Sequence, residues 1–393
     1  MEWNWSSLTW LIVSLSAALL ALLSWRKASN GSTKQRPPGP PGWPVVGNMF
    51  DLGKMPHQAL YRLRSKYGSV LWLQLGSVNT MVILSAKTAA QLFKNHDLPF
   101  SDRKVPDAVT ALGYNQGSLA FGNYGAYWRM LRRLCSTELL LSRRINETAI
   151  LRQKCIDNMI RWIEEDAVAS RAQGRLGEVQ LSHFLFLFAF NLLGNLMLSR
   201  DLLDSQSKEG HEFFDAMNKI MEWAGKPNVA DYLPFLKWMD PLGIKRNMVR
   251  DMGQAMKIAA RFVDERVQEK QSGREKVKKD FLDVLLEYEG DGKEGSDKIS
   301  ERNVIVIILE MFFAGSETSS STIEWAMAEL LRSPNSMRKV KEELDRIVGP
   351  NRKTFNWELN SIVTPETMDM KEWMGITVLK LVPLKPIPMY YFV

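Results

Sequence analysis

The chain has 393 residues, of which 45% are hydrophobic and 24% are charged, and its formal net charge is +7. This balance is typical of a globular protein and excludes a disordered chain. Two cysteines in so long a chain exclude a disulfide framework and favour a reducing compartment. The positive charge fits an anionic membrane surface; since Lys and Arg are not interleaved with aromatic residues in a nucleic-acid motif, we expect no nucleic-acid partner.

The first predicted element is a membrane anchor. Leu8 to Trp25 is a run without any charged residue, and its length of about 18 residues is just enough helix to cross a bilayer core. Glu2 precedes the run and Arg26 and Lys27 follow it, so the body of the protein should face the cytosol. The alternative is a cleaved secretory peptide, which has a basic start and small residues at its cleavage site. We favour an uncleaved single-pass signal anchor with a basic flank, residues 1–36.

A Pro- and Gly-rich segment follows at residues 37–48, PPGPPGWPVVGN. Because proline fixes φ and lacks an N–H donor, this segment can be neither a helix nor a central strand. It predicts a semi-rigid hinge between the anchor and the body. An ordinary proline-rich linker explains the same residues equally well.

The body is predicted to be mainly helical. Val70 to Ser85 is typical of two strands around Gly76-Ser77, and a helix should follow from Ala86. From there to residue 345 the periodicity is mostly helical, and the charge-rich stretch 289–300 is typical of a solvated loop. Helix breaks are expected at Pro106, Gly174, Pro227, Pro234 and Pro241. The fold class is therefore mainly α with a small, segregated β portion (α+β).

One aromatic and one basic residue of the segment WRMLRR form the first candidate site. Trp128 and Arg132 are four residues apart and should share one helix face. An indole N–H and a guanidinium that point the same way can hold an anionic group, because Arg offers a planar fork to a carboxylate. The alternative is a basic surface stripe whose side-chain stems cover apolar area.

The second candidate site lies inside a long apolar helix predicted from Glu301 to Arg332, at AGSETSSST. Glycine and hydroxyl residues are poor helix formers there, and Ser and Thr tend to bend helices. Ala314 and Gly315 remove side-chain bulk, so that a flat group could approach the backbone. Glu317 and Thr318 place a carboxylate beside a hydroxyl, and such a pair can relay protons if water reaches it through a distorted turn. The alternative is a helix kink with back-bonded hydroxyls.

In chain order, the anchor, the hinge, the hairpin YGSVLWLQLG, WRMLRR and AGSETS resemble the microsomal cytochrome P450 monooxygenases of plants. AGSETSSSTIEWAMAELLRSP and FLDVLLEYEG are similar to the group that contains geraniol hydroxylases and related terpenoid and alkaloid hydroxylases. The tail TPETMDMKEWMGITVLKLVPLKPIP is similar to the C-terminal strands of that group. The resemblance implies that residues 49–353 are the N-terminal and central part of a P450-like domain and that residues 354–393 are its C-terminal strand region.

The resemblance also implies roles for the candidate residues. Trp128 and Arg132 would contact a propionate of haem b, and Ala314 and Gly315 would lie against the haem face. Glu317-Thr318 would be the acid–alcohol pair that delivers protons to dioxygen. The family implies electrons from NADPH through NADPH–cytochrome P450 reductase, a small lipophilic substrate such as a terpenoid or alkaloid, and a place in the endoplasmic reticulum membrane.

The resemblance is interrupted after about Lys353. The ExxR helix and the glycine-rich loop that carries the iron-binding cysteine have no counterpart, which fits an internal deletion of roughly a hundred residues and an incomplete P450 fold. Glu343 to Arg346 spells ExxR but belongs to the preceding helix. Neither Cys135 nor Cys155 stands in a Gly-rich loop, and no cysteine follows Cys155. The four histidines, His57, His96, His183 and His211, show no metal-ligand spacing, so we expect no metal ligand.

Since a cysteine thiolate pushes electron density into the iron and favours O–O cleavage, we expect the chain to be inactive as a haem-thiolate monooxygenase. Two alternatives stay open: a non-catalytic, membrane-anchored remnant, and a splice variant or mis-joined gene model. The segments expected to line the substrate pocket, residues 105–118, Phe213-Phe214 and residues 310–313, are apolar and favour a hydrophobic substrate.

Overall fold

The computed structural model describes residues 9–10, 12–14, 16–17, 36–139, 141–203, 208–273, 279–290, 292, 298–349 and 355–390. These residues form two compact units. Unit 1 comprises residues up to Ser101 together with Asn228–Leu242, and unit 2 comprises Asp102–Pro227 and the chain from Gly243 onward. The predicted solvated loop at 289–300 lies largely outside the described residues, and the domain boundaries at 37, 49 and 354 stay predictions.

In chain order, the helices are α1 Met49–Leu52, α2 Pro56–Tyr67, α3 Ala86–Asn95, α4 Tyr114–Gly117, α5 Ala126–Glu138, α6 Ser142–Glu147, α7 Ala149–Ala172, α8 Leu181–Leu198, α9 Lys208–Gly225, α10 Val229–Tyr232, α11 Ile244–Gln271, α12 Phe281–Leu286, α13 Glu301–Arg332 and α14 Pro334–Val348. The strands are β1 Val70–Leu75, β2 Val78–Ile83, β3 Phe355–Glu358, β4 Glu372–Met374, β5 Val378–Lys380 and β6 Ile387–Tyr390. Short 3₁₀ turns span Leu98–Phe100, Asp107–Gly113 and Pro234–Leu236. The predicted α+β class with little β structure is confirmed.

Most of the predicted membrane anchor lies outside the described residues. The part that is described, between residues 9 and 17, is helical and exposed, and the Ser14 hydroxyl donates to the Trp10 carbonyl at 2.7 Å. Within the described chain, two helices are long and apolar enough to span a membrane, α8 and α13, but more than half of each apolar window is buried in the protein. Such burial is typical of core helices, so the spanning anchor stays a prediction.

The predicted hairpin forms the centre of unit 1. Strands β1 and β2 pair antiparallel, with Leu75 opposite Val78. Gly76 in the turn has φ 57°, and a Cβ there would lie 2.4 Å from the Tyr232 carbonyl oxygen, so only glycine fits without a shift. The helix predicted from Ala86 is α3, and the Ser85 hydroxyl caps it by accepting from the Thr88 N–H at 3.1 Å.

The Pro/Gly-rich segment 37–48 lies along β1 in unit 1 and is neither helix nor central strand, as predicted. The Trp72 N–H donates to the Pro38 carbonyl at 3.0 Å. Asn48 bonds to Gln74 twice, through its own N–H at 2.5 Å and by accepting from the Gln74 N–H at 2.9 Å. The segment is therefore hydrogen-bonded to the hairpin over much of its length and is not a free spacer.

The core of unit 2 is built around α13, which has the predicted bounds. Ser300 caps its start by accepting from the Asn303 N–H, and Ser333 before Pro334 ends it. All residues from Val304 to Leu309 are buried, and α8 packs along the helix. The Phe312 ring meets the Phe190 ring at 4.8 Å and the Phe213 ring at 5.3 Å. The predicted breaks at Pro106, Gly174, Pro227 and Pro241 fall between helices, and Pro234 begins the 3₁₀ turn that follows α10.

The tail contributes two small sheets. β3 pairs with β6 and β4 pairs with β5, both antiparallel. The N–H groups of Val179 and Leu181 donate to the carbonyls of Pro386 and Leu384, each at 3.1 Å. The tail is thereby joined to the start of α8, far from it in sequence.

Helix α14 has no buried residue, although it carries an apolar face. Val340 and Leu344 are exposed, and Ile347 is 66% exposed. An uncovered apolar face of this kind usually marks a contact surface or an aggregation liability.

A buried ion cluster joins α8, α11 and the start of α12. Arg266 donates to Asp280 at 2.7 Å and to the Leu198 carbonyl at 3.1 Å, and it pairs with Asp283 at 2.9 Å. All three charged side chains are nearly enclosed. Removing one partner of a buried pair leaves an uncompensated charge, so the cluster is costly to break.

We therefore expect Arg266→Ala to lower the free energy of unfolding by roughly 3–5 kcal/mol, because the buried Asp280 loses its counter-charge and Asp283 keeps only its pair with Lys270 at 3.4 Å. Urea unfolding of the full chain, followed by circular dichroism, measures the change. The control is Arg161→Ala, whose exposed pair with Glu165 at 3.4 Å should be worth about 0.5 kcal/mol. Equal losses in the two variants would contradict the assignment.

Candidate active site

A small apolar cavity of about 210 Å³ lies beside the middle of α13 in unit 2. Its walls come from α9, α11, α13, the segment 109–121 and the tail turn at Ile376. Among the lining residues are Tyr114, Phe121, Met252, Phe313, Ala314 and Thr318. The cavity can enclose a small hydrophobic molecule, because apolar walls with few polar groups are typical of such sites.

Two of the three segments predicted to line a pocket do so. Val109 and Tyr114 come from the first segment, and Glu310 and Phe313 come from the third. In the stretch near Phe213-Phe214, these two residues do not line the cavity: Phe213 is fully buried in the aromatic core, and the Phe214 ring packs against Phe186 at 4.8 Å. Residues about two to three turns further along α9, from Ile220 to Ala224, line it instead.

Ala314 and Gly315 face different neighbours. Ala314 is exposed and lines the cavity with Thr318. A Cβ on Gly315 would lie 2.9 Å from the Leu193 Cδ1 atom, so this glycine allows α8 and α13 to pack closely. Contact of both residues with a haem face remains a prediction, and the structure gives Gly315 a packing role of its own.

The expected distorted turn in α13 is not present. The helix continues without a break through residues 314–318. The Thr318 hydroxyl donates to the Ala314 carbonyl, Thr322 to the Thr318 carbonyl at 2.8 Å, and Ser320 to the Glu317 carbonyl at 3.0 Å. These bonds satisfy three of the hydroxyls within the helix, whereas the buried Ser316 hydroxyl has no hydrogen-bond partner.

Glu317 is half-buried and lies next to Thr318, as the sequence requires, but the two side chains face different surroundings. Burial raises the pKa of Glu317, and the Thr377 hydroxyl of the tail opposes part of the rise. A carboxyl whose pKa is raised toward neutrality suits proton transfer. Thr318 lies at the cavity, whereas Glu317 lies against the tail turn.

The sequence predicted Glu310 only as part of a pocket-lining segment and assigned its carboxylate no partner. Its carboxylate accepts from the Ser118 hydroxyl at 2.5 Å, the Leu119 N–H at 2.5 Å and the Ala120 N–H at 2.8 Å. Burial raises the pKa of Glu310, and these three donors oppose the rise. A lone carboxylate within the apolar run VIVIILEMFF is the signal that could have revealed it, because a buried acid needs partners.

Trp128 and Arg132 both lie on α5, but their polar groups do not converge. The Trp128 indole N–H donates to the Leu119 carbonyl at 2.8 Å, so Glu310 and Trp128 bind the two polar groups of one residue. Arg132 is exposed. The predicted propionate contact is untested, and Trp128 would have to give up its bond to Leu119 to make it.

Both cysteines are free and buried, Cys135 on α5 and Cys155 on α7. Burial, with the charge of Glu310 adding to it, raises the pKa of Cys135 to about 12, and burial also raises the pKa of Cys155. The thiolate is the form that binds metals, and burial disfavours that form at both sulfurs. In the part of the chain that the structure describes, no three His, Cys, Asp or Glu side chains converge on a metal site.

Comparison with known proteins shows that the chain is similar to cytochrome P450 proteins. A family model described as Cytochrome P450 matches residues 37–370. The chain is 58% identical over 360 residues to iridoid oxidase of Catharanthus roseus, covering 91% of this chain and 70% of that protein. It is 33% identical to geraniol 8-hydroxylase of Catharanthus roseus, covering 84% of this chain and 65% of that protein. A solved zebrafish cytochrome P450 shares the fold at a TM-score of 0.59 and 24% identity, over 76% of this chain and 65% of that one.

We expect Glu310→Gln to lower the free energy of unfolding by roughly 1–3 kcal/mol, because an amide NH₂ replaces one acceptor oxygen and meets backbone donors. Hydrogen exchange should show faster exchange at the amides of Leu119 and Ala120. The control is Glu329→Gln on the same helix, an exposed carboxylate 3.7 Å from Arg332. Unchanged protection at both amides would rule out this anchoring role.

Proposed function

The chain belongs to the cytochrome P450 family, and from that premise we propose that it derives from a haem-thiolate monooxygenase that hydroxylates a small lipophilic terpenoid or alkaloid. We further propose that it does not catalyse this reaction itself. The placement and protonation of its two thiols carry this proposal: both are buried and neutral, and neither lies in a loop open to a porphyrin.

The substrate class is supported by the cavity and by the relatives. The cavity is small and apolar, which suits a compact hydrocarbon skeleton with few polar groups. Relatives named iridoid oxidase and geraniol 8-hydroxylase align over most of this chain. Their names point to terpenoid substrates.

The described residues fit one part of a haem site, the surface against the ring, but not the sulfur ligand to the iron. Ala314 and Thr318 line the cavity with small side chains, against which a flat group could lie. Haem, if bound there, would supply the iron that activates dioxygen. Cys135 and Cys155 do not fit as the sulfur ligand, so we derive no step through the haem. What the chain's own residues provide is an enclosed apolar cavity and, at Glu317, a carboxyl that holds its proton more strongly than an exposed one.

Haem titration of the full chain tests this proposal. Because no thiolate is available, we expect weak haem uptake and no thiolate-type absorption band in the reduced carbon monoxide adduct. Cys135→Ser and Cys155→Ser should leave the spectrum unchanged. A thiolate-type band in the unaltered chain that disappears in either serine variant would overturn the proposal.

A second candidate is a non-catalytic remnant that engages partners of full-length relatives, such as the NADPH-dependent reductase. The exposed apolar face of α14 favours it, because that face is open to another protein. Co-precipitation of the haem-free chain with the reductase would support this candidate. Sequencing the transcript across residues 353–355 decides whether a splice variant or mis-joined gene model accounts for the junction.

We also propose that the chain is a single-pass protein of the endoplasmic reticulum membrane whose body faces the cytosol. The uncharged run from Leu8 to Trp25 and the basic residues after it support this orientation. In unit 1, the exposed Phe235 and Trp238 beside Lys237 add apolar and basic surface. Aromatic and basic side chains of this kind favour a membrane interface.

Translation into microsomes tests the orientation. We expect the chain to resist alkaline extraction and to carry no glycan at the exposed sequon Asn146-Glu147-Thr148, since the body stays in the cytosol. A variant with Glu2→Lys, Arg26→Glu and Lys27→Glu reverses the flanking charge and should become glycosylated at Asn146. Glycosylation of the unaltered chain would contradict the predicted topology.

A further inference from the structure

Three acidic residues share one face of α13. Glu310, Glu317 and Glu324 recur at intervals of seven, which is two helical turns, so their side chains point in nearly the same direction. Glu310 and Glu324 are buried, and Glu317 is half-buried. Each meets a segment that is remote in sequence.

The outer two acids are well supplied with donors. Glu310 accepts from three groups of residues 118–120. Glu324 accepts from the Leu384 N–H at 2.8 Å and interacts with the Ser182 hydroxyl. Both carboxylates are therefore committed to holding the loop or the tail in place.

The middle acid differs. In the described part of the chain, the group that acts on the Glu317 carboxyl is the Thr377 hydroxyl. The Thr377 hydroxyl oxygen is buried and makes no hydrogen bond in the described structure. The tail turn therefore brings a buried hydroxyl without a partner to the face of α13 that carries the half-buried Glu317 carboxyl.

The turn that carries Thr377 is fixed by other contacts. The Val378 carbonyl accepts from the Ser321 hydroxyl at 3.1 Å and from the Trp325 indole N–H at 3.0 Å. Ser321 and Trp325 follow Glu317 by one and two turns of α13, so the helix presents a row of partners to the tail. The position of Thr377 therefore does not depend on its own hydroxyl.

The other charged groups near this turn are paired among themselves. Lys380 on β5 interacts with Glu324 and donates to the Asp369 carbonyl. At the end of α9, Lys226 pairs with Glu222 at 2.5 Å. Neither pair acts on Glu317, so a neutral hydroxyl is left to orient it.

We propose that Thr377 is a positioning residue for Glu317: its hydroxyl donates to the ionised carboxylate and holds it against the tail turn. When Glu317 is protonated, the bond reverses and the carboxylic acid donates to the same oxygen, since a hydroxyl can both donate and accept. This proposal rests on the proposed function only in treating Glu317 as the family's proton-transfer acid. The contact itself needs neither haem nor turnover.

A double-mutant cycle of Thr377→Val and Glu317→Gln tests the contact in the full chain, by urea unfolding in detergent at pH 5 and pH 8. Because the folded pKa of Glu317 is raised, its ionisation costs stability as pH rises through that value. Losing the Thr377 hydroxyl raises the pKa further. Thr377→Val should therefore increase the unfolding equilibrium constant about fivefold to tenfold more at pH 8 than at pH 5.

In the Glu317→Gln background, the effect of Thr377→Val should be the same at both pH values. Thr377→Ser keeps the hydroxyl and should restore the pH profile of the unaltered chain. The matched control is Thr322→Val, an exposed Thr on α13, whose cost should not vary with pH. A pH-independent cost of Thr377→Val, or a pH dependence that persists with Gln at 317, overturns the proposal. These unfolding experiments are done without haem. Their outcome therefore does not affect the haem titration that tests the proposed function.

Discussion

The structure of unit 2 depends on the burial of α13 against α8. Every residue from Val304 to Leu309 is enclosed, and Gly315 lets the two helices approach where any side chain would meet Leu193. The cavity wall, the loop at residues 118–120 and the tail all attach to this one helix. Because these attachments involve the acidic face of α13, the helix serves as both core element and scaffold of the site.

The acidic face explains how so apolar a helix carries polar chemistry. Glu310 and Glu324 each receive backbone N–H donors, which lowers the cost of burying them. In the described structure no backbone N–H donates to the Glu317 carboxyl, and burial raises its pKa. Two acids fix the surrounding segments, whereas the third is not held in this way.

Features that depend on local chemistry could be predicted from the sequence. The bounds of α13 follow from Ser300 and Pro334, the hairpin follows from Gly76, and the helix breaks follow from prolines. Features that depend on distant contacts could not. The bonds from Glu310 to residues 118–120 join positions about 190 apart in the chain, and the row of α13 partners for the tail turn appears only once the tail is folded onto the helix. The expected distortion at residues 314–318 is wrong because the Thr hydroxyls are satisfied by carbonyls one turn back.

We propose that this chain, which keeps the fold of its family and a small apolar cavity, offers no sulfur to iron. X-ray absorption at the iron edge of the full chain, loaded with haem, tests this proposal most directly. We expect a first coordination shell of nitrogen and oxygen only. A sulfur bonded to the iron, lost on replacing Cys135 or Cys155 by serine, would contradict it.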